Sequence, residues 1–84
     1  MQTIVRTTGQ LGPVLRKLRK AKNWSQAQLG EHVGLSQERI SAIENRPERI
    51  PVNQLLTLMM ALDAELMVSA RTPSETPTVE KGGW

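Results

Sequence analysis

The feature that most restricts the fold of this chain is a pair of helix starts set close together in the middle of the sequence. Ser25 and Gln28 have the spacing of a capping box, in which each side chain satisfies a backbone N–H at the beginning of a helix. Gly34 can end that helix, because glycine readily adopts the left-handed conformation. Ser36 then predicts the start of a second helix. Two short helices joined through Gly34, Leu35 and Ser36 cannot run antiparallel, so the chain must turn sharply between them.

This arrangement predicts a helix-turn-helix, and Gly30 supports the prediction. A glycine inside a helix costs roughly 1 kcal/mol relative to alanine, so its presence asks for a structural reason. Close approach of the next helix across Gly30 is such a reason. The alternative is a glycine that is tolerated without any structural role.

Two further helices complete the predicted fold. In the first, Thr8 is the N-cap and Asn23 ends the helix, and Pro13 makes its beginning irregular or moves that beginning to about Gly12. Its apolar residues recur at helical spacing and are Leu11, Val14, Leu15, Leu18 and Ala21. The last helix runs from about residue 52 to residue 62 and is apolar on more than one face. Only part of this apolar surface can pack on the other three helices, so the remainder indicates a contact between two copies of the chain.

The end of the chain predicts a strand followed by a tail. Residues 64–70 alternate apolar and polar side chains, as a half-buried strand does. A strand needs a partner, so we expect it to pair with the same strand of a second chain, with residues 3–7 as a rival partner. Residues 71–84 predict a flexible tail, in which Trp84 is either an anchor for a partner or an exposed residue without a role. We therefore divide the chain into an N-terminal arm (1–7), a helix-turn-helix domain (8–70) and the tail.

Composition excludes several kinds of function. The chain has no cysteine, which excludes disulfides and thiolate metal sites. We find neither an apolar stretch long enough to span a membrane nor a signal-peptide core, and we expect a cytoplasmic protein with no membrane partner. His32 is the only histidine, and we find no residues around it that would complete a metal or catalytic site. We therefore predict no enzymatic activity, no metal and no cofactor.

The positive charge is concentrated in the first helix. The net charge is +3, and the segment RKLRKAK contains no acid. Its basic residues are Arg16, Lys17, Arg19, Lys20 and Lys22. Such a run is commonly a solvated helix face. It can also be a surface that binds the phosphates of a nucleic acid, and charge alone does not decide between the two.

The outward positions of the second helix of the pair carry short hydrogen-bonding side chains. In a helix-turn-helix this helix enters the DNA major groove, where Gln and Asn suit adenine, Arg suits guanine, Ser suits either and Glu suits cytosine. The first residue of the preceding helix, Gln26, can meet a phosphate beside free helix N–H groups. Our predicted DNA-binding residues are Gln26, Ser36, Gln37, Glu38, Arg39, Ser41, Asn45 and Arg46.

The stretch SQAQLGEHVGLSQERISAIEN resembles the Cro/CI-type (XRE) helix-turn-helix repressors, and the resemblance extends over about residues 9–62. It implies a mainly α domain of four or five helices that binds palindromic operators in double-stranded DNA as a dimer. It also implies that Gln26 and Gln37 occupy DNA-contacting positions. Finally, it implies that Arg19 and Glu44 form a partly buried ion pair between the first and third helices.

The layout after the helix-turn-helix is similar to that of HipB-type antitoxins. That resemblance implies a homodimer held partly by one C-terminal β-strand pairing across the two chains, with Leu66, Met67 and Val68 in that contact. It further implies a type II toxin–antitoxin system, in which the chain represses its own operon and binds a HipA-type serine/threonine kinase toxin. Two alternatives stay open. One is a stand-alone repressor without a toxin, and the other is a helix-turn-helix fold used only as a protein adaptor.

Overall fold

The computed structural model of the protein describes residues 2–71. In this range the chain forms four α-helices, α1 (Thr8–Ala21), α2 (Gln26–Val33), α3 (Gln37–Asn45) and α4 (Val52–Ala61). A short 3-10 turn, Pro47–Arg49, joins α3 to α4. The mainly α helix-turn-helix fold is thereby confirmed. The predicted tail and Trp84 lie outside the described residues, apart from Arg71 at the start of the tail.

One hydrophobic core connects the four helices. Helix α3 packs against α2 and α1, and α4 packs against α2. The buried apolar side chains are Leu15, Leu29, Ile40, Ile43, Leu55, Leu58, Met59 and Leu62. Each such burial contributes about 1.5–3 kcal/mol, so the apolar stripes of the four helices together hold α3 in a fixed position.

The turn between α2 and α3 has the capping pattern that the sequence predicts. The Gln28 backbone N–H donates to Ser25 Oγ at 3.1 Å, and the Ser25 N–H donates to Gln28 Oε1 at 2.8 Å. Gly34 ends α2 with a φ of 74°. The Arg39 N–H donates to Ser36 Oγ at 3.1 Å and so starts α3. These caps fix the angle at which α3 leaves α2.

Gly30 is indeed at a point of close approach. A Cβ at this position would lie 2.3 Å from the carbonyl oxygen of Leu35. The close neighbour therefore belongs to the turn and not to α3 itself. The turn can fold back over α2 only because residue 30 has no side chain.

Helix α1 begins one residue earlier than predicted. Thr7 is its N-cap, and the Thr7 N–H donates to Gln10 Oε1 at 3.0 Å. Pro13 lies inside the helix, where its lack of an N–H removes one backbone hydrogen bond without ending the helix. The helix ends at Ala21, and Asn23 follows it with a φ of 61°.

The predicted strand is not present in the described part of the chain. Residues 64–70 have no regular secondary structure, and no backbone ladder joins them to residues 2–7. Between these segments, the Gln2 Nε2 amide donates to Met67 Sδ at 3.9 Å. A β-strand exists through hydrogen bonds to a neighbouring strand, and among residues 2–71 the segment has no such strand beside it. Within residues 2–71, no helix is long and apolar enough to cross a membrane.

Candidate nucleic-acid interface

Helix α3 presents a stripe of hydrogen-bonding side chains on the side away from the core. Gln37, Ser41 and Asn45 follow one another at four-residue intervals and therefore share one face. Gln37 and Asn45 are exposed and Ser41 is half-buried, with Asn45 Nδ2 donating to Ser41 Oγ at 3.4 Å. Ile40 and Ile43 on the other side are buried and anchor the helix. The chemistry of this stripe is that of base edges in the major groove.

The first turn of α3 adds two further polar groups. Ser36 accepts the Arg39 N–H with its hydroxyl oxygen, which leaves the hydroxyl proton able to donate. Glu38 is exposed, and a carboxylate in the first turn also interacts favourably with the helix dipole. Both groups lie at the helix end that enters the groove in a helix-turn-helix.

A hydrogen bond across the turn joins Gln37 to Gln26. Gln37 Nε2 donates to Gln26 Oε1 at 2.6 Å, and Gln26 Nε2 donates to Glu44 Oε1 at 3.1 Å. The outward amide of Gln37 is thereby connected to a buried carboxylate through Gln26. This series of bonds restricts the rotamers of both glutamines before any ligand arrives.

The buried end of this network is the ion pair of Arg19 and Glu44. Arg19 Nε donates to Glu44 Oε2 at 2.7 Å, and Arg19 Nη2 donates to Glu44 Oε1 at 3.1 Å. Arg19 and Glu44 are only 7% and 4% exposed. Arg19 Nη1 also donates to the carbonyl oxygen of Trp24 at 2.9 Å. The pair therefore connects α1, the start of the helix-turn-helix and the end of α3.

Opposing effects act on the pKa of Glu44. Burial raises this pKa, but hydrogen bonds from Arg19 and Gln26 and the positive charges of Arg19 and Arg16 lower it by more. The net pKa lies below the ordinary value of 4.5. Glu44 is therefore a carboxylate at neutral pH, and it can hold its partners by charge as well as by hydrogen bonds.

The structure gives Arg39 a neighbour that sequence reasoning did not anticipate. Arg39 Nη2 donates to Gln54 Oε1 at 2.7 Å, which draws the half-buried Arg39 side chain towards α4. Gln54 was missed as a residue of this surface. The signal that could have identified it is the pair of polar residues Asn53 and Gln54 in the first turn of the mainly apolar α4. Arg46 is exposed just after the last residue of α3.

The basic run of α1 divides into residues with different surroundings. Arg19 is in the buried pair, and Lys22 forms a salt bridge with Asp63. The Lys22 ammonium also lies 5.1 Å from the centre of the Trp24 ring, which stacks on His32. Lys17 and Lys20 are exposed, and Arg16, although 3.5 Å from Glu44, has a side chain that is 40% exposed, so these three have charge available to a polyanion.

The described surface has no metal-binding cluster. Among residues 2–71, no group of three or more His, Cys, Asp or Glu side chains could hold a metal ion. The chemistry that the described surface around α3 does offer is hydrogen bonding and positive charge.

Comparison with known proteins is consistent with this geometry. The helix-turn-helix family model matches residues 15–68, which is more than half of the 84-residue chain. A comparison with curated proteins found no match. A solved HipB-O1-O2 complex contains a chain 20% identical to this one, with a TM-score of 0.75, covering 82% of this chain and 100% of that chain.

Two further solved structures are similar to the same degree. They are a HipA-HipB-O2-O3 complex and a HipB-O4 20mer complex. In each, the matched chain is 20% identical, with a TM-score of 0.76, covering 84% of this chain and 100% of that chain. At this level of identity the likeness establishes a shared fold.

Proposed function

Because this chain belongs to the Cro/CI-type (XRE) helix-turn-helix family of DNA-binding domains, we propose that it is a sequence-specific antitoxin that represses its own operon. The DNA-binding part of this proposal rests on the outward stripe of polar side chains on α3. The first of them, Gln37, is hydrogen-bonded to Gln26 of α2. A helix face that meets only solvent would ordinarily carry long charged side chains.

In the proposed complex α3 lies in the major groove. Gln37 and Asn45 contact adenine edges, Glu38 accepts from cytosine, and Ser36 and Ser41 serve either kind of base. The operator is palindromic because the protein binds as a homodimer, with half-sites separated by one or more helical turns of about 34 Å.

The remaining residues of the interface set its position on the DNA. Gln26 and the free N–H groups at the start of α2 meet a phosphate. Arg46 follows the DNA backbone beyond the end of α3. Arg39, held by Gln54 through one N–H, keeps its other donors for guanine or for a phosphate.

Replacing Gln37 with alanine is expected to cost about 1–3 kcal/mol of binding at one base pair and to relax specificity there. The reason is that the amide makes two hydrogen bonds to one base and makes them poorly to the others. Affinities measured on a set of operators substituted at single positions check this. Asn53→Ala, on the exposed side of α4, is the control and should leave the affinities for all of these operators unchanged. If Gln37→Ala weakened binding equally on all operator sequences, Gln37 would contact a phosphate and not a base.

For the homodimer, we propose that residues 64–70 pair with the same residues of a second chain. Three neighbouring apolar side chains support this, because Leu66, Met67 and Val68 are 54%, 62% and 84% exposed in the single chain. A segment with exposed apolar side chains and no neighbouring strand among residues 2–71 can add to a second strand.

Val68→Pro is expected to shift the protein towards monomer in analytical ultracentrifugation, because proline lacks the N–H that a ladder needs. Val68→Thr, which keeps the N–H and the branched Cβ, is the matched control and should remain dimeric. If Val68→Pro stays dimeric, the exposed residues of α4 form the contact instead. They are Val52, Leu56 and Met60.

The proposed toxin partner is a HipA-type serine/threonine kinase. Its support is that the chain matches the whole length of the HipB chain in a structure that also contains HipA. A tagged pull-down from the native cells at moderate salt, read by mass spectrometry, tests this partner. A stoichiometric kinase-like protein is the expected result.

Two outcomes of that pull-down would contradict the antitoxin proposal. A chain that elutes alone and still binds its own upstream DNA would be a stand-alone repressor. A chain that elutes with other proteins and binds no DNA would be an adaptor. Binding to DNA phosphates is recognised by its salt dependence. A plot of log affinity against log salt concentration falls with a slope of about 0.9 for each neutralised phosphate.

A further inference from the structure

One arginine of the basic run lies directly beside the proposed DNA interface. Arg16 Nε is 3.5 Å from Glu44 Oε1. The same carboxylate oxygen accepts the hydrogen bond of Gln26 Nε2 at 3.1 Å. Arg16 is therefore next to the first residue of α2, and its side chain is 40% exposed. The guanidinium lies at the solvent edge of the network that connects Gln37 to the core.

The charge of Arg16 is not consumed by this contact. Arg19 already matches the single negative charge of Glu44 with two hydrogen bonds. The separation of 3.5 Å between Arg16 and Glu44 is long for a hydrogen bond, so the contact is mainly electrostatic. Within residues 2–71, no N–H of the Arg16 guanidinium donates a hydrogen bond, so its donors remain available to a ligand.

We propose that Arg16 binds one phosphate of the DNA backbone, with Glu44 holding its guanidinium beside the amino-terminal end of α2. An arginine fork matches two phosphate oxygens, and the free N–H groups of a helix start favour an anion at the same place. Glu44 acts as a positioning residue, because it limits where the long Arg16 side chain can lie before DNA arrives. This inference rests on the DNA binding described above.

The neighbouring Lys17 makes the assignment specific. It carries the same charge one residue further along α1, is exposed, and forms no salt bridge within the described part of the chain. One residue along an α-helix corresponds to a rotation of about 100° around the axis, which turns Lys17 away from Glu44. If positive charge anywhere on α1 were sufficient, the two residues would contribute equally to DNA binding. If position matters, only Arg16 will contribute to DNA binding.

The experiment compares Arg16→Gln with Lys17→Gln in the full-length chain. Binding to a mixed-sequence DNA duplex is measured over a series of salt concentrations, since a phosphate contact does not depend on base sequence. For Arg16→Gln the slope of log affinity against log salt should become shallower by about 0.9. The ratio of parent to variant affinity should then fall about 3.5-fold for each fourfold rise in salt.

Two comparisons support the interpretation of this slope. Lys17→Gln should keep the parent slope. Arg16→Lys should restore most of the slope, because lysine also binds phosphate as a point charge. A merely structural role for Arg16 would change the thermal midpoint and leave the slope as it is.

Each contrary result has a distinct meaning. An Arg16→Gln slope equal to that of the parent, or equal losses for Arg16→Gln and Lys17→Gln, would overturn the assignment of Arg16 while leaving DNA binding intact. A parent chain that shows no salt-dependent binding would overturn the proposed function, and the Arg16 assignment with it.

Discussion

Replacing Arg19 with alanine is expected to lower the free energy of unfolding by about 3–5 kcal/mol. The substitution leaves the Glu44 carboxylate, which is 4% exposed, without the partner that supplies two of its hydrogen bonds. Removing one member of a buried pair costs more than the pair contributes, because the remaining charge is left in a poor solvent. The Trp24 carbonyl loses its donor as well.

Thermal unfolding followed by circular dichroism measures this effect. For a domain of this size, the midpoint should fall by more than about 10 °C. Lys20→Ala removes the same charge from the exposed side of α1 and should change the midpoint little. Combining Arg19→Met with Glu44→Leu should recover much of the loss, because no unpaired charge then stays buried. A variant Arg19→Ala that melts like the parent and only binds DNA less tightly would contradict the structural role.

The same loss should depend on pH in a defined direction. The folded-state pKa of Glu44 lies below the ordinary value of 4.5, because its partners outweigh burial. The stabilisation that follows from this shift is fully present above pH 4.5 and is lost as the pH falls through the folded pKa. The difference in midpoint between the parent and Arg19→Ala should therefore narrow in acid. A constant difference would mean that Arg19 stabilises the fold by packing alone.

Gly12→Ala is expected to lower the free energy of unfolding by about 2 kcal/mol or more, although alanine is the better helix former. A Cβ on residue 12 would lie 2.2 Å from the carbonyl oxygen of Glu44. That oxygen belongs to the backbone, so no change of rotamer relieves the clash and α1 must move away from α3. The same movement would also separate Arg19 on α1 from Glu44 on α3. Urea denaturation gives the free energy directly.

Gly9→Ala is a matched control on the same helix. The nearest atom to a Cβ at residue 9 is Thr7 Oγ1 at 3.8 Å, which is ordinary contact. Alanine at this exposed position should therefore stabilise the protein by up to about 1 kcal/mol. The two substitutions are chemically identical and should act in opposite directions. If both stabilise the protein, α1 and α3 are not in close contact at Gly12.

The parts of the fold that could be predicted are those encoded by neighbouring residues. The capping box of Ser25 and Gln28, the end of α2 at Gly34 and the start of α3 at Ser36 all involve hydrogen bonds or dihedral angles within about one turn of helix. The helical spacing of apolar residues also placed Leu11, Leu15 and Leu18 on the inward face of α1, whereas Ala21 of the same predicted set is exposed. The error of one residue at the start of α1 arose because Thr7 and Thr8 can both serve as an N-cap.

The predicted strand shows the limit of local patterns. Alternation in residues 64–70 describes a segment that could lie in a sheet, but a ladder requires a second segment that the alternation does not specify. Arg39 shows the same limit at the level of one side chain. It was predicted as a DNA-binding residue of α3, but its bond to Gln54 depends on where the folded chain places α4.

The sequence by itself determined the helix-turn-helix, its caps and the set of polar residues that α3 presents, because these depend on spacing along the chain. Only the tertiary structure decided which residues meet across the chain. It brought Gln37 to Gln26 and Gln26 to Glu44, and it set Arg16 beside that carboxylate. The physical reason is distance along the chain: caps form between residues a few positions apart, whereas these contacts appear only after the core has fixed how the helices pack.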